Sequence, residues 1–249
     1  MLNKKWIHII KNIDFAFQPI VDIHTKKAVA YEALLRNYKE VGFNSIDDFF
    51  NCAYADKILH TVDIKLRKKV LKKIKNSKLF SNKIKIFYNL DNRILDMPNY
   101  KIGQTSKILD KLGIKKDLLT FEISEKYQFK SFTDAQSVFR LYQEQGYQIA
   151  LDDFGTGFSG LQLLYYLDPN HIKIDRFFIT DIANDKKKKM FLINIINIAK
   201  SINASIIAEG IETKEELDIC KEIGCDSVQG YYIQRPTTNL NELNKSYPH

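Results

Sequence analysis

No apolar run in this sequence approaches the ~20 residues that a bilayer-spanning helix requires, so membrane insertion is not expected. The basic amino-terminal stretch, residues 1–11, meets Lys11, Asp14 and Gln18 before it can build the continuous apolar segment of a secretion signal. Cysteine is scarce: Cys52, Cys220 and Cys225 show no CxxC spacing. That count argues against a zinc site and against a disulfide framework, and fits reduced thiols, with Cys220 and Cys225 packing around a helix end. No Pro-, Gly- or Ser-rich linker and no short repeat divides the 249 residues. A Ser–His or Cys–His pair suited to nucleophilic catalysis is also missing. These absences predict a soluble, cytoplasmic chain folded as a single domain, 1–249.

What is present is a hydrophobic fraction of 45%, ample for a sizeable core, and a net charge of +8. The lysines of 65–75 and 186–189 read first as solvated helix faces. The summed field also favours an anionic ligand. No basic stripe interleaved with aromatics appears, so duplex nucleic acid is not an expected partner.

Two β-rich runs, 15–23 and 28–35, flank His24-Thr25-Lys26-Lys27 and predict a hairpin. A long helical region is expected at 46–76. Strands are then expected at 84–90, 118–123, 148–151, 171–174, 205–208 and 227–232. Helices fall between most of them, at 103–112, 132–145, 161–167, 188–202 and 214–223. Repeated strand–helix units with hydrophobic strands indicate a parallel sheet covered by helices. Eight strands in this length favour a closed α/β barrel, with the opening hairpin making one strand antiparallel.

Lone polar residues terminate these strands again and again: Asn89, Glu122, Asp152-Asp153, Lys173, Glu209 and Gln229. With Glu32 from the hairpin they supply five carboxylates and one ammonium to the barrel end where active sites form. Two carboxylates ~4 Å apart repel by ~4 kcal/mol at an effective dielectric near 20. The group must spread out, take up protons, or hold divalent cations. Oxygen-only donors suit Mg²⁺, Mn²⁺ or Ca²⁺ rather than zinc. The glycines of 152–160 allow a tight turn after the strand, with backbone N–H groups free to face an anion.

Several segments in this order carry a family likeness: Phe17-Gln18-Pro19-Ile20-Val21-Asp22, Glu32-Ala33-Leu34-Leu35-Arg36, Asn89-Leu90, Glu122-Ile123-Ser124-Glu125, Asp152 through Gly157, Ile172-Lys173-Ile174-Asp175, Ala208-Glu209-Gly210-Ile211-Glu212-Thr213 and Gln229-Gly230-Tyr231. From about Phe17 to Pro236 the chain resembles the EAL-domain family of cyclic di-GMP phosphodiesterases. The resemblance implies a TIM-type (β/α)8 barrel with one antiparallel strand near the N-terminus. It also implies hydrolysis of cyclic di-GMP to linear pGpG with two ions, Mg²⁺ or Mn²⁺, while Ca²⁺ is expected to inhibit.

By the same resemblance Glu32, Asn89, Glu122 and Asp152 hold one ion. Asp152 bridges to a second, held by Asp153 with Glu209 and Gln229 in or near its shell. Lys173 orients the attacking water, so Lys173, Glu209 and Asp153 form the catalytic set. Gln18, Arg36 and Asp175 are the implied nucleotide contacts. Glu125 and Glu212, with Gly155 and Gly157, support the site from behind. Asn92 and residues 127–130 depart from the family pattern. A homodimer through the helices after the Asp152 loop and the Lys173 strand is implied as well. The alternatives are a non-catalytic cyclic di-GMP receptor and an interaction module.

Overall fold

Asp14–Asp22 and Ala28–Arg36 carry the aromatic and apolar residues of a pleated ribbon, and in the computed structural model they pair as an antiparallel hairpin, β1 and β2. The structure describes residues 2–77, 84–124, 126–157, 160–244 and 246–247. Six parallel strands follow: β3 (Lys85–Asn89), β4 (Leu119–Ser124), β5 (Gln148–Phe154), β6 (His171–Ile174), β7 (Ser205–Ala208) and β8 (Ser227–Val228). β2 runs parallel to β3, whereas β1 is antiparallel to both β2 and β8, and these pairings close an eight-stranded barrel. Closure leaves no unpaired edge. The expected fold, a TIM-type barrel with one reversed strand, is the one observed.

The helices are α1 (Lys4–Asn12), α2 (Ile46–Ala55), α3 (Leu59–Lys75), α4 (Gln104–Leu112), α5 (Phe132–Glu144), α6 (Gly160–Leu167), α7 (Arg176–Ile179), α8 (Lys186–Ser201) and α9 (Lys214–Ile223). Local chemistry sets their starts. Asn3, Ser45 and Ser131 cap α1, α2 and α5 by accepting a backbone N–H, and Thr213 with Glu216 forms a reciprocal capping box on α9. Four consecutive lysines open α8, the end where the helix dipole disfavours cations; the Asp185 carboxylate, accepting from Lys187 and Lys188 N–H, offsets part of that cost.

Two expectations needed correction, and one helix was not expected. The helical region at 46–76 is two helices, because Lys57, at a left-handed φ of 55°, makes a tight turn over residues 56–58 between them. The strand expected at 227–232 stops at Val228, since Gln229 and Gly230 turn the chain over the barrel rim and Tyr231 follows in a turn. The amino-terminal stretch is an amphipathic helix, α1, that buries Trp6 and Ile9, and Trp6 donates its indole N–H to Asp56 at 2.7 Å.

The main core lies between barrel and helices. Within it α3 buries an Asp63–Arg67 pair whose guanidinium stacks over Phe121, 4.7 Å from the ring centroid, while Tyr88 donates to Asp63 at 2.9 Å. A second, small cluster of Ile20, Ala30, Phe87, Ala150 and Ile207 fills the middle of the barrel. Side chains alternate along a strand, so residues two positions on from this plug also face inward. That places Glu32, Asn89, Asp152 and Glu209 above the plug at the C-terminal end. Lys85, Gln148 and Ser205 lie below it at the other end.

Candidate active site

Strand register assembles the acidic rim. Glu32 lies opposite Gln18, Asn89 opposite Glu122, and Ser124 opposite Asp152 in the ladders. Lys173 rises from β6 into their centre and is fully buried. Its ammonium is 2.5 Å from Glu122, 2.7 Å from Asp152, 2.7 Å from Glu209 and 3.5 Å from Glu32. Around these carboxylates stand two amides. Asn89 lies 3.1 Å from Glu32 and 3.0 Å from Glu122, and Gln229 lies 2.6 Å from Glu32 and 3.0 Å from Gln18. The structure therefore brings together Glu32, Asn89, Glu122, Asp152, Asp153, Lys173, Glu209 and Gln229.

Charge is unbalanced here. Glu32, Glu122, Asp152, Asp153 and Glu209 face one ammonium. Burial, reinforced by Glu32, pushes Glu122 well above the usual carboxylate range, and burial does the same to Glu209. Burial and then Asp152 raise Asp153 to about 7. Burial works against the charge on Lys173, but Asp152, Glu122, Glu209 and Glu32 outweigh it and hold the ammonium above the ordinary lysine value. The site thus favours uptake of positive charge.

Divalent cations fit that demand. Oxygens of Asp152, Asp153 and Glu209 lie within 4.8 Å of one another, close enough to share an ion. The amide oxygen of Gln229 is buried without a hydrogen-bond partner among the described residues. Exchanging N and O of the Asn89 amide would present its oxygen to the same space as Glu32 and Glu122. An all-oxygen donor set is the chemistry of Mg²⁺, Mn²⁺ and Ca²⁺.

Backbone conformation holds these groups in place. Asp153 has φ of 52°, a left-handed conformation uncommon outside glycine, and its carboxylate lies with those of Asp152 and Glu209. Gly155, at φ of 99°, accepts the Phe178 ring so closely that a Cβ would lie 2.5 Å from it. At Gly230 a Cβ would lie 2.1 Å from the Ile211 carbonyl, so only glycine lets the segment carrying Gln229 pass there. Gly230→Ala should lower stability by ~1–3 kcal/mol through that backbone clash. Urea unfolding reads it, and an unchanged midpoint would show that the segment can slide aside.

Other expected site residues sit apart from this centre. Gln18 is buried at its edge, donating to the Gln234 carbonyl at 3.0 Å. Arg36 turns its guanidinium to the Leu35 carbonyl, and Asp175 caps α7 by accepting from Phe177 N–H at 2.7 Å. Glu212 pairs with Arg176 at 2.9 Å beside Gly210. Gly157 adjoins the tight turn at Gly155, whereas Glu125 lies outside the described residues.

Two cavities meet at Glu32. One, of about 320 Å³, runs from Asn89, Asp152 and Asp153 to Ile46, Phe50 and Tyr127. The other, of about 210 Å³, is lined by Gln18, Glu209, Gln229 and Arg176. Sequence reasoning missed how the first is walled: Arg93 lies 3.6 Å over the Tyr127 ring and 4.9 Å over Tyr54 while gripping Asp91 through two nitrogens. The only sequence signal was Asp91 and Arg93 closely following the strand that ends in Asn89. Nor did the sequence reveal Phe178 or Arg176, whose contacts are with distant glycines.

Comparison with known proteins agrees with this architecture. In the solved structures, a standalone EAL protein of Vibrio cholerae O395 bound to c-di-GMP superposes with a TM-score of 0.76 at 27% identity, covering 90% of this chain and 92% of that one. A manganese and cyclic di-GMP complex of BlrP1 from Klebsiella pneumoniae gives 0.79 at 26% identity, covering 91% and 56%. Among curated relatives, the probable cyclic di-GMP phosphodiesterase PdeN of Escherichia coli K12 is 30% identical over 223 residues, 89% of this chain and 43% of its own length. The oxygen sensor protein DosP of the same organism is 36% identical over 134 residues, 54% of this chain and 17% of its own length. The chain thus spans less than half the length of these curated relatives. The EAL domain family model matches residues 8–236, and the chain belongs to that family.

Proposed function

We propose that this chain hydrolyses one phosphodiester bond of cyclic di-GMP to give linear pGpG, using two divalent ions, Mg²⁺ or Mn²⁺. The observation that carries the reading is the convergence of four carboxylates on one buried ammonium at the barrel's C-terminal rim, with a fifth, Asp153, grouped beside Asp152 and Glu209. Glu32, Asn89, Glu122 and Asp152 would hold one ion, and Asp152 and Asp153, with Glu209 and Gln229, the other. Bound there, such ions make water acidic enough to supply a nucleophile at neutral pH and offset charge on a phosphate.

The chain's own residues do the rest. Lys173, fixed by Asp152, Glu122 and Glu209, donates hydrogen bonds at the centre of the rim and orients a water against the phosphorus. Glu209 and Asp153, whose carboxylate oxygens lie close to those of Asp152, would accept the proton that this water loses. The two cavities on either side of Glu32 suit a ligand with a nucleotide on each side of a central phosphate, and Gln18, Arg36 and Asp175 are proposed to meet it. Net positive charge on the chain favours that anion. Reduced thiols at Cys52, Cys220 and Cys225 support a cytoplasmic setting.

Incubating the purified chain with cyclic di-GMP and Mg²⁺ or Mn²⁺ tests the reading by chromatography of the products. Linear pGpG is expected; tight binding without turnover would make it a receptor, and neither would make it an interaction module. Excess chelator should silence the activity, and Ca²⁺, with looser coordination, should support it poorly. Full rates in chelator would exclude the metal assignment.

A homodimer is supported by an exposed apolar face on α6, α7 and α8: Leu161 is 69% exposed, Tyr165 75%, Phe177 60% and Met190 54%. The double variant Leu161→Arg, Phe177→Asp should shift the mass in light scattering from dimer to monomer. A parent that is already monomeric at micromolar concentration removes this part of the proposal.

A further inference from the structure

The barrel carries another cavity at its N-terminal end, across the apolar plug from the acidic rim, and the proposed reaction does not use it. Barrels of this kind fill their interior with layers of bulky branched side chains. Here several lining residues are small: Ala28, Ala30, Ser205 and Ser227. The space left is about 550 Å³. That is the size of a small-molecule site, ~300–1,000 Å³. Its inner wall is apolar, formed by Ile20, Phe87 and Ile207 of the plug, with the Phe87 and His171 rings 5.2 Å apart.

Besides the exposed Thr25 and Lys27, the polar groups lining this cavity are few. Lys85, the first residue of β3, is half-buried, and its ammonium makes no ion pair or hydrogen bond among the described residues. Burial lowers its pKa, and the carboxylate that acts on it, Asp117, does so only through space. His171 brings no charge. Its Nε2 faces the Gln148 amide oxygen at 2.9 Å, its Nδ1 faces the Ser205 hydroxyl, and burial pushes its pKa down to about 3. The Ser227 hydroxyl has no hydrogen-bond partner among the described residues. Deeper in the barrel the Thr120 hydroxyl is fully buried and also unpartnered. A half-buried ammonium without a carboxylate, lining the same cavity as an unused hydroxyl and an aromatic wall, is the complement of an amphipathic anion.

We propose that this N-terminal cavity is a second ligand site, for a small monocarboxylate with an apolar body. The carboxylate meets Lys85 and Ser227, and the body lies against Phe87 and Ile207. The other lysine lining the cavity, Lys27, is exposed and keeps its water, so the one half-buried ammonium, Lys85, matches one negative charge, whereas a phosphate dianion would keep an uncompensated charge.

Benzoate is the probe, with benzamide as its uncharged counterpart and phenyl phosphate as the dianion, followed by amide chemical shifts of the full chain. Benzoate should shift the Lys85, Ser205 and Ser227 resonances saturably and bind at least tenfold more tightly than either counterpart. Lys85→Met should weaken benzoate at least tenfold, and Ala30→Leu, which fills the cavity, should abolish the shifts. Both variants should hydrolyse cyclic di-GMP within twofold of the parent, since neither residue belongs to the acidic rim. The proposal is overturned if benzoate shifts none of these resonances, perturbs the acidic rim instead, or binds Lys85→Met as tightly as the parent. It is equally overturned if phenyl phosphate binds as tightly as benzoate. Loss of hydrolysis by the parent chain would leave the benzoate result untouched, so the two readings fail separately.

Discussion

Asp153→Asn is expected to cut turnover of cyclic di-GMP by ~10³-fold or more while leaving the fold intact. Removing one well-placed electrostatic group from an active site already costs ~10²–10³-fold in turnover. Here the carboxylate lost belongs to the group of Asp152, Asp153 and Glu209 that can share an ion. The fold should survive because asparagine tolerates the left-handed backbone that Asp153 adopts at φ 52° and matches it in shape. Stability should not fall either. Burial and Asp152 raise the folded pKa of Asp153 to about 7. A carboxyl raised in this way contributes stability at acid pH, and that contribution is lost as pH climbs through about 7. At pH 8 in chelator the amide therefore removes a repulsion, and the melting temperature should equal or exceed the parent's. Glu32→Ala should abolish turnover likewise. Undiminished hydrolysis by either variant would refute the proposed ligand set.

Lys173→Met carries the largest expected effect on stability. It removes the one ammonium among Glu32, Glu122, Asp152 and Glu209, at a site that is 1% exposed. Breaking a buried ion pair from one side costs ~3–5 kcal/mol, because the partner charges stay buried. In chelator the melting temperature should fall by roughly 6–20 °C, taking 2–4 °C per kcal/mol for a domain of this size. Millimolar Mn²⁺ or Mg²⁺ should restore much of that loss and raise the variant's melting temperature more than the parent's, because binding to the folded state alone stabilises it. Turnover should not return, since cation charge does not replace the hydrogen bonds that orient water. A variant that melts with the parent in chelator would mean that the carboxylates are protonated and Lys173 is not their counter-charge.

The split between what was legible in the chain and what was not follows the range of the interactions. Strand ends were legible because Asn89, Glu122, Lys173 and Glu209 each interrupt an apolar run, and an alternating ladder carries such residues to one rim. The break at Lys57 and the helix at Lys4–Asn12 were not. The first depends on a single backbone dihedral, and the second on Trp6 finding Asp56 some fifty residues away. Likewise the Arg93–Tyr127 wall and the fit of Phe178 over Gly155 join segments with no local signal of each other.

By itself the sequence determined the repeat of strand and helix, the reversed first strand and the types of side chain at the acidic rim, because hydrophobic period and residue chemistry are local properties. Tertiary structure alone decided that Lys173 stands at the centre of those carboxylates and that Gly230 must clear Ile211. It alone decided that small residues leave a cavity beneath the plug. Each of these depends on distances between strands, and a distance of a few ångströms across a barrel is fixed only when the sheet closes.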